Sequence, residues 1–159
     1  VKESWNAGDH QLVAVGDILS MAQESTSKIV VITGGEPLMY NLEVLTKALK
    51  IHGFKTHLET SGAYALTGTW DWVCLSPKKF KQPLPGVFQS ADELKVVVYN
   101  KHDFQWGEQM AAQVGKDCKL YLQPEWSKAE EMMPLIIEYV KNNPRWEISL
   151  QVHKFMNIP

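Results

Sequence analysis

Cysteine is almost absent from the chain: Cys74 and Cys118 are the two in 159 residues. They lie far apart, with no Cys or His at metal-ligand spacing, which excludes a disulfide scaffold and a thiolate zinc site. They read as two buried thiols of a cytoplasmic protein. Long hydrophobic runs are also lacking. The longest, Ile29–Ile32 and the lysine-interrupted Leu94–Tyr99, are far too short to span a bilayer, and no signal peptide is visible. Neither sign of charge dominates: the net charge is −2, so nothing calls for nucleic acid or a membrane surface as partner. There is no P-loop, no Gly-x-Gly-x-x-Gly fingerprint and no Ser/His/Asp hydrolase pattern. His52, His57 and His102 are scattered, which argues against a zinc site. Repeats, low-complexity tracts and linkers are missing, so the chain reads as one domain large enough for a real core.

What is present centres on the stretch from Lys28 to Pro37. Ile29, Val30, Val31 and Ile32 are all β-branched, and the run reads as a buried parallel strand. Gly34 and Gly35 then allow turn angles and a close backbone approach to a ligand. Glu36 is placed to accept hydrogen bonds from a cationic group, and Pro37 suits the first position of a helix. Read alone, the stretch is equally a strand-to-helix turn with glycines for geometry.

Further strands are expected at Lys55–Glu59, Trp72–Leu75, Leu94–Tyr99, Lys119–Leu122 and Glu147–Val152. Helices are expected over about 13–24, 38–52 and 104–114, and from Ser127 to about Asn142. Ser127 and Glu130 form a capping-box pattern there, and Pro134 predicts a kink or a late start. The prolines and glycine of Lys79–Gly86 read as loop, as does Val1–Asp9. The alternation argues for an α/β fold with a parallel sheet of about six strands. Gly34, Thr60, Ser76, Gln123 and His153 each fall at or just past the end of a different strand. In a parallel sheet or barrel those ends share one face, where sites form.

Val31-Ile-Thr-Gly-Gly-Glu-Pro37, Glu59-Thr-Ser-Gly62, Ser76-Pro-Lys78, Gln123-Pro124 and the ending Gln151 to Pro159 occur in this order. Together they resemble the 7-carboxy-7-deazaguanine synthase family of radical S-adenosylmethionine (SAM) enzymes, over essentially the whole chain. The resemblance implies an open, partial TIM-type barrel. It also implies a reaction in which a reduced [4Fe–4S] cluster donates an electron to SAM. The resulting 5′-deoxyadenosyl radical takes a hydrogen atom from 6-carboxy-5,6,7,8-tetrahydropterin, whose ring contracts with loss of ammonia. It further implies a cytoplasmic enzyme of the queuosine and deazapurine pathway, with an electron donor such as flavodoxin or ferredoxin, and a homodimer fits the family.

By the same resemblance, SAM contacts fall on Gly34, Gly35, Glu36, Pro37, Thr60, Ser76, Pro77, Lys78, Gln123, Pro124 and Glu125. Substrate contacts fall on Thr33, Glu59, His153 and Pro159. Bland alternatives stand beside these. Lys78, Lys79 and Lys81 read equally as a solvated basic loop, Thr33 as an ordinary strand residue, and Glu59 to Ser61 as strand-end turn chemistry. The chain departs from the family at its start. The three cluster cysteines of the Cys-x3-Cys-x2-Cys type are absent, so the expectation is a chain that begins just past them and is inactive alone. Family members hold Mg2+ through a hydroxyl near this point, where Val1 has none. The apolar tail with Phe155, Met156 and Ile158 is expected to tuck down, bringing His153 and the Pro159 carboxylate to the mouth; its alternative is a tail that only seals the barrel. Rival functions are another radical SAM enzyme, such as a glycyl-radical activating enzyme, and a non-catalytic SAM- or nucleotide-binding α/β module.

Overall fold

The structure, a computed structural model, describes residues 12–156. Six strands form a single sheet: β1 (Ile29–Ile32), β2 (Lys55–Thr60), β3 (Trp72–Leu75), β4 (Glu93–Val98), β5 (Lys119–Pro124) and β6 (Trp146–Ile148). Their order is sequential and every pairing is parallel. Six α-helices accompany them: α1 (Val15–Glu24), α2 (Glu43–Ile51), α3 (Pro85–Gln89), α4 (His102–Ala111), α5 (Ala129–Asn142) and α6 (Val152–Phe155). Sequential neighbours joined by right-handed crossovers must place their helices on one face of the sheet. The sheet therefore has a helix-covered face and a second face left for a ligand, as in an open, partial TIM-type barrel.

Side-chain alternation along each strand carries this division. Thr56, Leu58 and Thr60 of β2, Leu94, Val96 and Val98 of β4, and Leu120 and Leu122 of β5 are buried. The aliphatic side chains of β4 and β5 pack with Met110 of α4, Met132 and Ile136 of α5 and Trp146 of β6, while Leu58 joins Leu38, Leu42 and Val73 in a smaller cluster. Each such side chain contributes about 1.5–3 kcal/mol through burial. The alternate positions, Lys55, His57 and Glu59, then Glu93 and Lys95, then Lys119, Tyr121 and Gln123, are polar and form the concave face. Glu108 of α4 fastens the far edge by accepting from Tyr139 Oη at 2.6 Å and Trp146 Nε1 at 2.7 Å.

Several elements differ from the sequence expectation. Ile29 (47% exposed) and Val31 (52%) are not buried, because they alternate onto the open concave face, opposite Lys55 and His57 of β2. Pro37 opens a short 3-10 turn, Pro37–Met39, and α2 itself starts later, at Glu43. The segment read as loop gives way to α3 at Pro85. Ser127 does not cap α5: its amide and hydroxyl instead donate to Glu125, and α5 runs through Pro134. The last strand stops at Ile148, and Val152 opens α6. Phe155 and Met156 are exposed rather than tucked down. Val1 and Pro159 lie outside the described residues. No helix among the described residues is long and apolar enough to cross a membrane.

Candidate functional site

At the end of β1, Thr33, Gly34 and Gly35 are exposed. Gly34 has φ of 130°, and a Cβ there would meet nothing within 4 Å, so the turn is open on its outer side. Glu36 folds inward. Its Oε1 accepts from Leu38 N at 3.1 Å and from Thr60 Oγ1 at 2.6 Å. Its Oε2 accepts from Ser61 N at 2.8 Å and from the Ser61 hydroxyl. The carboxylate expected to meet a cationic group is thus occupied by the end of β2. Gly62 follows at φ of 75°, pressed against Leu75 and Pro83.

The loop after β3 is held at several points. Ser76 N donates to Thr60 O at 2.7 Å, and Lys78 Nζ donates to Ser76 Oγ at 3.2 Å. Burial, and then the Lys95 charge, hold the Lys78 ammonium below the usual lysine range. Lys79 donates to Asp103, which also accepts from Tyr99 N at 2.7 Å and Asn100 N at 2.9 Å. Lys81 lies 3.6 Å over the Tyr64 ring. Lys79 and Lys81 are exposed, as the reading of a solvated loop has them, although each has a partner; Lys78 is half-buried.

On the concave floor Lys95 Nζ donates to Glu59 Oε1 at 2.9 Å. Cys74 Sγ donates to Glu93 Oε1 at 3.3 Å, and Trp72 Nε1 to Glu93 Oε2 at 3.1 Å. Burial, reinforced by Glu93 and Glu59, drives the Cys74 thiol well above the ordinary range despite Lys95. It is not a poised nucleophile. Across the face, Gln123 accepts from Ser149 Oγ at 3.2 Å, leaving its amide N–H groups for another acceptor. Glu125 caps the turn Trp126–Lys128, whose Trp126 meets Phe155 of α6 edge-on at 5.3 Å.

Part of this set borders one cavity of about 660 Å³. Of the expected site residues, Glu59, Ser76, Lys78, Gln123, Glu125 and His153 line it. Thr33, Gly34, Gly35, Glu36, Pro37, Thr60, Pro77 and Pro124 do not, although Glu36 and Thr60 brace its rim. Glu93 and Lys95 line it without having been singled out; their alternation with buried β4 residues was the available signal. The lining mixes carboxylates with ammonium groups, which suits a polar ligand carrying both signs. Among the described residues, no cluster of His, Cys, Asp or Glu could hold a metal ion.

No family model matches the chain. A protein of Flavobacterium psychrophilum named 7-carboxy-7-deazaguanine synthase is 54% identical over 159 residues, covering all of this chain and 75% of that protein. The chain belongs to the 7-carboxy-7-deazaguanine synthase family. A Synechocystis member of the family is 43% identical over 157 residues, 99% of this chain and 75% of that one. The crystal structure of QueE from Escherichia coli matches with a TM-score of 0.78 at 31% identity, covering 87% of this chain and 64% of the solved one. The family's partial-barrel architecture thus accounts for the sequential parallel sheet and for the cavity at its strand ends.

Proposed function

We propose that the chain forms the SAM- and substrate-binding body of a 7-carboxy-7-deazaguanine synthase, acting on 6-carboxy-5,6,7,8-tetrahydropterin in deazapurine and queuosine biosynthesis. The observation that carries this reading is the 54% identity over every residue of the chain. The mixed-charge cavity at the carboxyl ends of the strands supports it.

SAM fits the residues present. Exposed amides and carbonyls around Gly34 and Gly35 suit its amino-acid end, which carries both an amine and a carboxylate. Lys78 has no ion-pair partner among the described residues and would meet the carboxylate. Ser76 and Gln123 supply hydroxyl and amide groups for the ribose or adenine. When bound beside a reduced cluster, SAM supplies hydrogen-atom abstraction; this chain's residues bind, orient and exclude water. The [4Fe–4S] cluster does not fit: two separated cysteines, both with thiols driven upward by burial, cannot replace a triplet. The cluster therefore needs ligands that the described residues do not supply. His153, at the cavity border, and the Pro159 carboxylate are assigned to the pterin.

Calorimetry on the complete, cluster-reconstituted protein tests this. SAM and 6-carboxytetrahydropterin should both bind, and a pterin lacking the 6-carboxylate should bind at least tenfold more weakly. Retention of SAM binding with no affinity for the pterin would favour a different radical SAM substrate.

A further inference from the structure

Lys95 belongs to none of the motifs that mark the strand ends. It sits within β4, between the buried Leu94 and Val96, on the concave face. Its side chain is only 14% exposed, yet it borders the cavity. Register places it opposite Tyr121, whereas Gln123 lies opposite Val97. With about 3.3 Å of rise per strand residue, Lys95 is about 7 Å deeper in the barrel than the Gln123 level.

An ammonium has three donors, and one is used on Glu59 Oε1. The other two have no protein acceptor among the described residues. Glu59 in turn is 42% exposed, and its second oxygen accepts nothing there. A mostly buried cation with unused donors is costly unless a ligand or the water of the cavity completes it, and a ligand acceptor can take the place of that water. The pair presents unspent donors beside an unspent acceptor, at fixed geometry, on the floor of a cavity. Burial works against the Lys95 charge, but the Glu59 hydrogen bond and the Glu59 and Glu93 carboxylates outweigh it and hold its pKa above the usual lysine value. Lys78, nearer the mouth, is held in the opposite direction by burial and by Lys95. The two lysines therefore differ in depth, partner and environment, as expected of groups meeting different ligands.

We propose that Lys95 is a substrate-binding residue, donating to an oxygen acceptor of the pterin, carbonyl or carboxylate, while Glu59 anchors its ammonium and offers the adjacent acceptor. This rests on the pterin reading above and goes beyond it by naming the floor of the substrate site.

The test uses the complete, cluster-reconstituted protein and its Lys95→Met and Lys95→Gln variants. SAM and 6-carboxytetrahydropterin affinities are measured separately by calorimetry, with circular dichroism as the check of fold. The expected result is a loss of pterin affinity of at least tenfold in both variants, a SAM affinity within threefold of the parent, and partial recovery of pterin binding in Lys95→Arg. Pterin affinity within twofold of the parent in a folded variant would overturn the proposal. So would an equal or larger loss of SAM affinity, which would place Lys95 on the cofactor, and so would loss of fold in both variants, which would make it structural. If the unaltered protein binds SAM but no pterin, the substrate reading itself fails, a result separable from all of these.

Discussion

Glu36 Oε1 lies 2.6 Å from Thr60 Oγ1, and this contact ties the turn after the first strand to the end of the second. With the two Ser61 donors and the Leu38 amide, the carboxylate has four partners, all from the protein. Its role in the fold is that of a strap behind the exposed Gly34–Gly35 backbone. Hydrogen bonds to a charged group contribute about 1.5–3 kcal/mol each, less where solvent reaches them. Glu36→Ala should therefore lower stability by about 2–3 kcal/mol and weaken SAM binding, while Glu36→Gln, which keeps part of the network, should lose less of both. Denaturant melts and SAM calorimetry check this; a Glu36→Ala protein that melts as the parent would remove the strap.

The glycines at the two strand ends should respond differently. Gly34 carries a positive φ but open space, so Gly34→Ala should cost about 1–3 kcal/mol in backbone strain alone. In Gly62→Ala the new Cβ would also lie 2.6 Å from Leu75 Cδ1 and 2.9 Å from Pro83 Cβ, adding about 1–3 kcal/mol of overpacking. Urea unfolding should rank Gly62→Ala well below Gly34→Ala in stability, whereas SAM affinity should fall in Gly34→Ala. The opposite order of stability would contradict the packing.

Asp103 should make the enzyme acid-sensitive. Its carboxylate is 2% exposed; burial pushes its pKa up, but Lys79 and the amides of Asn100 and Tyr99 outweigh this and hold it below the usual value. A carboxyl group depressed in the folded state contributes stability that is complete above its unfolded pKa of about 3.9 and is lost as pH falls through the lower folded value. Asp103→Asn should be less stable at neutral pH and should lose less stability than the parent between about pH 4 and pH 2. Thermal melts across that range read the difference; parallel curves would remove Asp103 from the acid response.

Lys78 offers the converse on the alkaline side. Burial and Lys95 lower its pKa from 10.5, so its ammonium is lost earlier than an ordinary lysine's as pH rises. If it meets the SAM carboxylate, SAM affinity should fall before pH 10.5, and Lys78→Arg should flatten that fall because arginine keeps its charge. Lys78→Met should lose SAM affinity by about tenfold, roughly one charge-assisted hydrogen bond. An unchanged profile in Lys78→Arg would assign the anion site elsewhere.

The sheet was legible because its strands carry plain signals. Trp72–Leu75 falls where the apolar run predicts it, and the parallel alternation follows from helices between strands. Of the five residues that strand ends alone gathered, Ser76, Gln123 and His153 line the cavity, whereas Gly34 and Thr60 do not. Lys95 escaped notice because one charge in an apolar strand reads the same whether its face is solvent or a cavity. Nothing local to Asp103 shows that it would hold Lys79, which is 24 residues away in the chain. Helices α3 and α6 are too short for periodicity to register. The run at Ile29–Ile32 looked buried because a wholly apolar run does not reveal that one of its two faces is open.

Turnover is the sharpest test of the proposed activity. The complete protein, with its cluster reconstituted anaerobically, is given SAM, a reductant and 6-carboxy-5,6,7,8-tetrahydropterin, and the products are identified by mass spectrometry, with the 159-residue chain run beside it. The complete protein should yield 7-carboxy-7-deazaguanine, as the proposed activity requires, and the chain alone none. A fully loaded cluster that cleaves SAM while leaving the pterin intact would contradict it.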